Sequence, residues 1–166
     1  MPTLIKRGQI AANTYTRVTP AEDGSLTLPE GDVLVDLATL RLHLDAILAH
    51  GARKGVLLAS DEFAESVADV VQQLDLIAID FPAFADGRGY STAYLLRTRH
   101  GYTGELRAVG DVFKDTLFYQ RRVGFDAFLI RADKDAAVAL KGLDDFNEVY
   151  HASADEPRPL FLRRAV

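Results

Sequence analysis

The amino-acid sequence predicts a single α/β domain with a mainly parallel sheet and helices on its faces. Short apolar runs of strand length alternate with longer segments that have apolar residues at helical spacing. Glycine or aspartate stands at most of the junctions, where turns and helix caps are needed. Because repeated strand and helix units also build curled sheets, a partial β/α barrel is the alternative.

The first 31 residues are the least regular part of the chain. Leu4–Arg7 and Tyr15–Val18 have strand character, and two groups of turn residues follow, at Glu22–Ser25 and Pro29–Gly31. We predict a small N-terminal β-arm, residues 1–31, that packs on the edge of the main domain, residues 32–166. A mobile tail is the competing interpretation.

The main domain is predicted to alternate strands and helices, with no second domain. Glycines at 51, 101 and 124 end three of the helices. The predicted strands cover 33–36, 55–60, 76–81, 106–109 and 125–130, and a last strand is predicted over 159–164. The predicted helices cover 37–50, 61–73, 90–101, 111–123 and 133–150.

Length and composition agree with one globular domain. Of the 166 residues, 48% are hydrophobic and 26% are charged, which is enough to bury a core. No run of about 18 apolar residues offers a membrane span, and the N-terminus lacks the apolar core of a signal peptide. The net charge of −5 argues against nucleic acid as a partner. We therefore expect a cytoplasmic protein that contacts neither membrane nor nucleic acid.

The loop after the third main-domain strand carries the most distinctive residues, Asp86-Gly87-Arg88-Gly89-Tyr90-Ser91. Its glycines let backbone N–H groups approach a ligand, a helix N-terminus follows, and the side chain of Arg88 is a forked cation. Ligands of open parallel sheets bind outside the carboxyl ends of the strands. We predict a site for an anion or an anionic cofactor that comprises Asp86, Gly87, Arg88, Gly89, Tyr90, Ser91, Arg107, Gly110 and Asp111.

This prediction requires Arg88, Arg107 and Asp111 to surround one hollow. The competing interpretation of Arg88 is that it pairs with Asp86 or Asp80 and only fastens the loop.

Two other patterns in the same loop point to different chemistry, and both fit less well. The string from Gly87 to Thr92 has the form G-x-G-x-x-T, but a dinucleotide fingerprint needs a tight turn and here residues 82–86 precede the first glycine. Ser91 stands in a small-x-Ser-x-small string, yet a nucleophile elbow leaves its strand at a sharp turn. The length of the loop therefore favours a capping role for Ser91.

Residue types limit the remaining chemistry. The chain has no cysteine, which excludes a thiol nucleophile and an iron–sulfur cluster held by cysteines of this chain. Its four histidines show no common metal-binding spacing, so we predict no metal site. Electrons for a redox reaction would come from a bound flavin or nicotinamide, or from a partner. Aspartates near strand ends are candidates for an acid/base site, although helix capping is their more common role: Asp36, Asp61, Asp80, Asp86 and Asp111.

Several strings closely resemble a bacterial family known as domain of unknown function 934. They are Phe81-Pro82, Asp86–Ser91, Gly101–Val112 and Gly124–Phe128. Members of that family are encoded beside the genes of assimilatory sulfite reductase and are labelled as oxidoreductases of sulfite reduction. In the family a cysteine often precedes the last string, where this chain has Val123, so a thiol there is not required for a shared activity.

The resemblance implies a role in sulfur assimilation, for which two hypotheses stand. In the first, the chain is an accessory or oxidoreductase-type protein of sulfite reduction that holds an anion or anionic cofactor at the Asp86–Ser91 loop. In the second, it is a non-catalytic partner or assembly protein that docks on sulfite reductase. Residues 88–122 carry a local charge of +4, and the predicted docking face consists of Arg97, Arg99, Arg121 and Arg122. Whether the chain is an enzyme stays open.

Overall fold

An eight-stranded sheet, curled into a half barrel, forms the centre of the molecule. The computed structural model describes residues 2–164. The strand order is β2-β1-β8-β7-β6-β5-β4-β3. The strands are β1 (Thr3–Lys6), β2 (Gln9–Ala11), β3 (Thr16–Arg17), β4 (Val33–Asp36), β5 (Lys54–Leu58), β6 (Leu76–Phe81), β7 (Glu105–Gly110) and β8 (Ala127–Ile130). The predicted α/β fold class is confirmed, and the curl agrees with the partial barrel.

Strands β3 to β8 are parallel, and each pairs with the next one along the chain. Because crossovers between parallel strands are right-handed, a series of such steps in one direction places every connection on the same face of the sheet. We call this the outer face. Ile77, Ile79 and Phe81 of β6 belong to the buried core on this side, together with Ala93 and Leu96 of the helix that follows.

The opposite, inner face of the sheet is crossed by the N-terminal segment. β1 pairs with β8 and β2 with β1, both antiparallel, while β3 pairs with β4 at the far edge. Only residues 12–15 join the two edge strands. Fully extended, this link spans roughly 17 Å, whereas seven flat interstrand spacings span roughly 33 Å, so the sheet has to curl.

These three strands are the predicted β-arm, divided between the two edges of the sheet. The arm shares one sheet with the rest of the chain. The proposed boundary between arm and main domain, at residue 31, stays a prediction.

The helices are shorter than the sequence predicts. They are α1 (Leu37–Leu42), α2 (Leu44–Leu48), α3 (Arg88–Thr98), α4 (Lys114–Arg122), α5 (Ala136–Lys141) and α6 (Leu160–Arg163). The predicted helix over 37–50 is interrupted at His43, and the one over 61–73 is reduced to two short 3-10 segments, Ala64–Val67 and Val71–Gln73. The predicted helix contains three valines, Val67, Val70 and Val71, and valine is a β-branched residue that disfavours helix.

Two predictions near the C-terminus are wrong. The helix expected over 133–150 ends at Lys141 and continues only as a 3-10 turn, Gly142–Asp144. Gly142 packs so closely on α4 that a Cβ there would lie 2.6 Å from the Lys114 carbonyl oxygen. The strand expected over 159–164 is helix α6. The edge strands of the sheet are β2 and β3, and this segment pairs with neither of them.

Candidate functional site

An open hollow lies on the inner face of the sheet, at the carboxyl ends of the parallel strands. It has a volume of about 470 Å³, and its charged lining consists of Arg17, Asp36, Glu62 and Asp80. The strand register explains why side chains from different strands meet here: Asp36 pairs with Leu57, and Leu57 pairs with Ala78, two residues before Asp80. Because successive side chains of a strand point to opposite faces, the side chains of Asp36, Leu57 and Asp80 all point to the inner face. This end of the sheet is where parallel α/β folds bind ligands.

Asp80, at the end of β6, lies partly buried in the wall of the hollow. Its carboxylate forms no hydrogen bond and no ion pair with residues 2–164. Burial raises the pKa of Asp80, the positive charge of Arg17 lowers it, and the carboxylate of Asp86 raises it again. Asp80 is therefore a carboxylate without a protein partner, facing a space large enough for a small ligand.

Arg17, in β3, is an unpaired cation on the opposite side of the hollow. Within the described chain its guanidinium makes neither a hydrogen bond nor an ion pair. Every other arginine is bound to a carboxylate or to a carbonyl oxygen. Arg17 thus has all five of its N–H donors available to a ligand.

Gly110, at the end of β7, keeps the hollow open beside Asp80. Its φ of +90° is one that side chains rarely adopt, and a Cβ there would lie 2.4 Å from the Phe81 carbonyl oxygen and 2.5 Å from Asp80 Oδ1. Glycine at this position therefore leaves the space that the Asp80 carboxylate occupies. Gly110 is the residue of the predicted anion site that lines this hollow.

The Asp86–Ser91 loop lies near the hollow but contributes no lining residue, and the charge of Asp86 acts on Asp80. Arg88 donates to Asp86 from Nε at 3.0 Å and from Nη2 at 2.7 Å, and Nη2 also donates to Ser60 Oγ at 2.7 Å. These hydrogen bonds from Arg88 hold the pKa of Asp86 well below its usual range. Ser60 follows β5, so Arg88 fastens the loop to the neighbouring strand end, as in the competing interpretation. The Arg88 side chain remains 53% exposed.

The remaining loop residues face the outer side of the sheet. Gly87 precedes the first residue of α3. Gly89 is packed on β6, where a Cβ would lie 2.8 Å from the Phe81 ring. The Tyr90 ring lies 5.1 Å from that ring and 5.1 Å from the ring of Tyr119 in α4. Tyr90 and Ser91 line a separate groove between α3 and α4.

The structure does not bring Arg88, Arg107 and Asp111 around one hollow. Asp111 lies beyond β7, where it accepts from the backbone N–H of Phe84 at 2.8 Å and from Arg131 at 2.5 Å. Arg107 lies in the middle of β7, is 2% exposed, and pairs with Glu105. Arg107 lies inside the strand and on the same face as Glu105, two residues away. Its side chain therefore lies on the inner face of the sheet and does not reach the rim.

The predicted arginine docking face is not formed. The side chains of Arg97 and Arg122 are only 17% and 6% exposed, and each binds atoms of its own chain. Arg99 and Arg121 are more exposed but pair with Glu65 and Asp144. The local charge of +4 is therefore neutralised by acidic residues from other parts of the sequence.

The sequence interpretation missed Arg17 and Glu62 as site residues. Arg17 stands in the irregular N-terminal part, and nothing in its local sequence marks it. Asp36 and Asp80 were identified as strand-end carboxylates, and both occupy that place. Their common location could be inferred from two features: alternate residues of a strand lie on one face, and the parallel register aligns the ends of neighbouring strands.

Two further properties concern the described residues alone. Within 2–164, no cluster of three or more histidine, aspartate or glutamate side chains is arranged to hold a metal ion. Over the same residues, each helix falls short of the length and apolar character that crossing a membrane would require.

The fold and the hollow define a class of protein: a partial β/α barrel with a polar hollow at the carboxyl ends of its strands. The chain belongs to the family described as "Bacterial protein of unknown function (DUF934)", whose model matches residues 55–161. The resemblance found in the sequence strings is thereby confirmed. No curated protein matches the chain.

Proposed function

We propose that this protein is an accessory protein of assimilatory sulfite reduction that binds the anionic group of a small ligand in the hollow at the strand ends. The pathway comes from the family resemblance. The ligand chemistry rests on one observation: the guanidinium of Arg17 has no partner among residues 2–164 and lines a hollow of about 470 Å³. Guanidinium stays charged at any physiological pH and matches the geometry of carboxylate, sulfonate or phosphate oxygens.

The Asp86–Ser91 loop forms the neighbouring part of this site. In this proposal the clamp between Arg88, Asp86 and Ser60 holds the loop at the rim, and Arg17 supplies the cation that contacts the ligand. The sequence alone placed Arg88 in that second role. The two assignments predict different results for single substitutions, which makes them separable by experiment.

Arg17→Ala is expected to abolish the thermal stabilisation that sulfite or sulfate gives to the protein. At about ten times its Kd, such a ligand adds roughly 1.4 kcal/mol of stability, which raises Tm by about 3–6 °C. Removing Arg17 removes the charge that binds the anion, so the shift should fall to that of a matched chloride solution. The measurement is a thermal melt with each anion at constant ionic strength.

Arg99→Ala is the matched control, because Arg99 is an exposed arginine, 67% accessible, on the outer side of the molecule. It should leave the shift unchanged. A shift that survives in Arg17→Ala contradicts the assignment to the hollow. If Arg88→Ala alone abolishes the shift, the anion binds at the loop, as the sequence predicted.

A second candidate function is docking on sulfite reductase through an aromatic surface. Tyr94 and Tyr119 are 42% and 58% exposed, and they line the groove between α3 and α4. Tyr150 is 63% exposed in the adjoining groove, which Tyr119 also lines. Neighbouring exposed aromatic rings are typical of protein interfaces, in which tyrosine often carries much of the binding energy.

Tyr94→Ser combined with Tyr119→Ser is expected to weaken retention of sulfite reductase at least about tenfold, because truncating a hot-spot tyrosine at an interface costs about 2 kcal/mol or more. The measurement is capture of the purified reductase on immobilised protein. Phe63→Ser is the control, since Phe63 is 57% exposed outside these grooves. Equal retention by the double variant and the wild type would exclude this surface as the docking site.

A further inference from the structure

We infer that the ligand of the hollow is a small zwitterion, with an anionic group bound by Arg17 and an amino group bound by Asp80. This inference rests on the proposed function, because it specifies the ligand of the same site.

The first argument is a pair of opposite charges that do not meet. Arg17 and Asp80 line one hollow, and the charge of Arg17 acts on Asp80. Arg17 and Asp80 nevertheless form no ion pair with each other, and neither has another partner among residues 2–164. Unpaired charges of opposite sign across a hollow match a ligand that presents the complementary charge at each end.

The second argument is the charge of the lining around Asp80. Asp36 accepts from the backbone N–H of Thr39 at 2.7 Å with Oδ1, and Glu62 accepts from that of Ala59 at 2.7 Å with Oε2. In each case the described residues leave the second carboxylate oxygen free. Three carboxylates therefore face one guanidinium. These carboxylates weaken the binding of a simple anion to Arg17, whereas they attract an ammonium group on the same ligand.

The third argument is that the hollow has room for a ligand beside the Asp80 carboxylate. The Asp80 carboxylate lies against the Cα of Gly110, where a Cβ would approach it to 2.5 Å. The nearby charge of Asp86 is already compensated by Arg88 at 2.7 Å, so it does not compete for the ligand. A volume of about 470 Å³ lies within the usual range of small-molecule sites. Asp80 and Arg17 thus border a space that a small ligand can fill.

The experiment uses probes that share one two-carbon skeleton: 2-aminoethanesulfonate, which has both charges, ethanesulfonate, which has the anion alone, and ethylamine, which has the cation alone. β-Alanine replaces the sulfonate by a carboxylate. Binding to the full chain is measured by calorimetry at constant ionic strength. We expect at least one of the two zwitterions to bind about tenfold or more tightly than either half-molecule, because a hydrogen bond between charged groups is added. The tighter of the two zwitterions identifies the anionic group that the site prefers.

Asp80→Asn keeps the shape of the side chain and removes its charge. It should weaken binding of that zwitterion by about tenfold, while ethanesulfonate should bind no more weakly than before. Asp45→Asn, which changes an exposed carboxylate on α2, is the matched control and should alter neither affinity. The thermal melt of each variant shows whether it is folded.

Three outcomes overturn the inference. If the zwitterions and ethanesulfonate bind equally well and their binding depends on Arg17, the site takes a simple anion, and the proposed function stands without the inference. If Asp80→Asn leaves the zwitterion affinity unchanged, Asp80 is not the acceptor. If no probe binds in a way that depends on Arg17, and sulfite and sulfate give no shift that depends on it, the proposed function fails together with the inference.

Discussion

Arg97→Ala is expected to lower the free energy of unfolding by about 3–5 kcal/mol, because it removes a largely buried cation together with its hydrogen bonds. Arg97 lies in α3 and donates to the carbonyl oxygens of Tyr102 at 2.7 Å, Gly104 at 2.8 Å and Gly124 at 2.9 Å. It also pairs with Asp126 at 3.3 Å. The substitution leaves three carbonyl oxygens without this donor, and no other described side chain replaces it.

Arg97→Lys should recover only part of the loss. The network uses Nε, Nη1 and Nη2 of one planar fork, and a single ammonium group cannot reach all of these acceptors. Arg99→Ala, two residues further along, should stay within about 0.5 kcal/mol of wild type, because its pair with Glu65 is exposed. Urea unfolding, followed by circular dichroism, gives all three values.

A wild-type midpoint for Arg97→Ala would show that the network adds little to stability. If Arg97→Ala also bound a protein partner less tightly, Arg97 would belong to a docking surface, as the sequence predicts. The structure predicts the reverse result: a stability defect, and no direct contribution to a docking surface.

The central strands were predictable because a parallel strand that is buried on both faces is a continuous apolar run. β6, for example, is Leu-Ile-Ala-Ile-Asp-Phe, and its predicted and observed limits coincide. Helix lengths were harder to predict. A short helix can end because it packs against a neighbouring element, and the local sequence does not show that contact. Gly142 shows this, since its contact with Lys114 involves two segments that are far apart in the sequence.

The curl of the sheet and the composition of the hollow could not be predicted locally. The curl is imposed by the short link between β2 and β3, and the length of that link has meaning only once both strands are placed at opposite edges. Arg17 reaches the site through this same link. A strand of two residues in an irregular segment gives no periodic signal, so the residue that carries the proposed function was absent from the predicted site.

Arginines were the residues whose roles the sequence interpretation assigned least well. Local sequence cannot distinguish an arginine on the surface from one that is bound by carbonyl oxygens of its own chain. Arg97 and Arg122 each follow or precede a polar residue, as surface arginines do, but their partners are up to 33 residues away. A positive stretch is therefore weak evidence of a docking face until its acidic partners have been located.

Glu105→Ala is expected to destabilise the protein by about 3–5 kcal/mol, because it leaves two cations on the inner face without their carboxylate. Glu105 and Arg107 are 6% and 2% exposed and lie 2.5 Å apart, and Lys6 contacts the other carboxylate oxygen of Glu105 at 2.6 Å. Arg107→Met should cost less than Glu105→Ala, since Glu105 keeps Lys6 as its partner.

The double variant, Glu105→Ala with Arg107→Met, should be more stable than the sum of the single losses predicts. Both charges are then absent, so neither is left buried without its partner. A double-mutant cycle, measured by urea unfolding, is expected to give a coupling energy of about 1–3 kcal/mol. Additive losses would contradict a direct interaction between the two side chains.

The same pair anchors the segment that makes the sheet curl. Arg107 donates to Asn13 Oδ1 at 2.9 Å and lies over the ring of Tyr15 at 5.3 Å. Burial raises the pKa of Tyr15 to about 12, as expected for an enclosed phenol, even though the charge of Arg53 opposes this shift. Arg107→Met should therefore loosen residues 12–15, and limited proteolysis of the folded variant should cut there before it cuts elsewhere. Resistance equal to that of the wild type would mean that Tyr15 and the strands on either side hold the segment without help from Arg107.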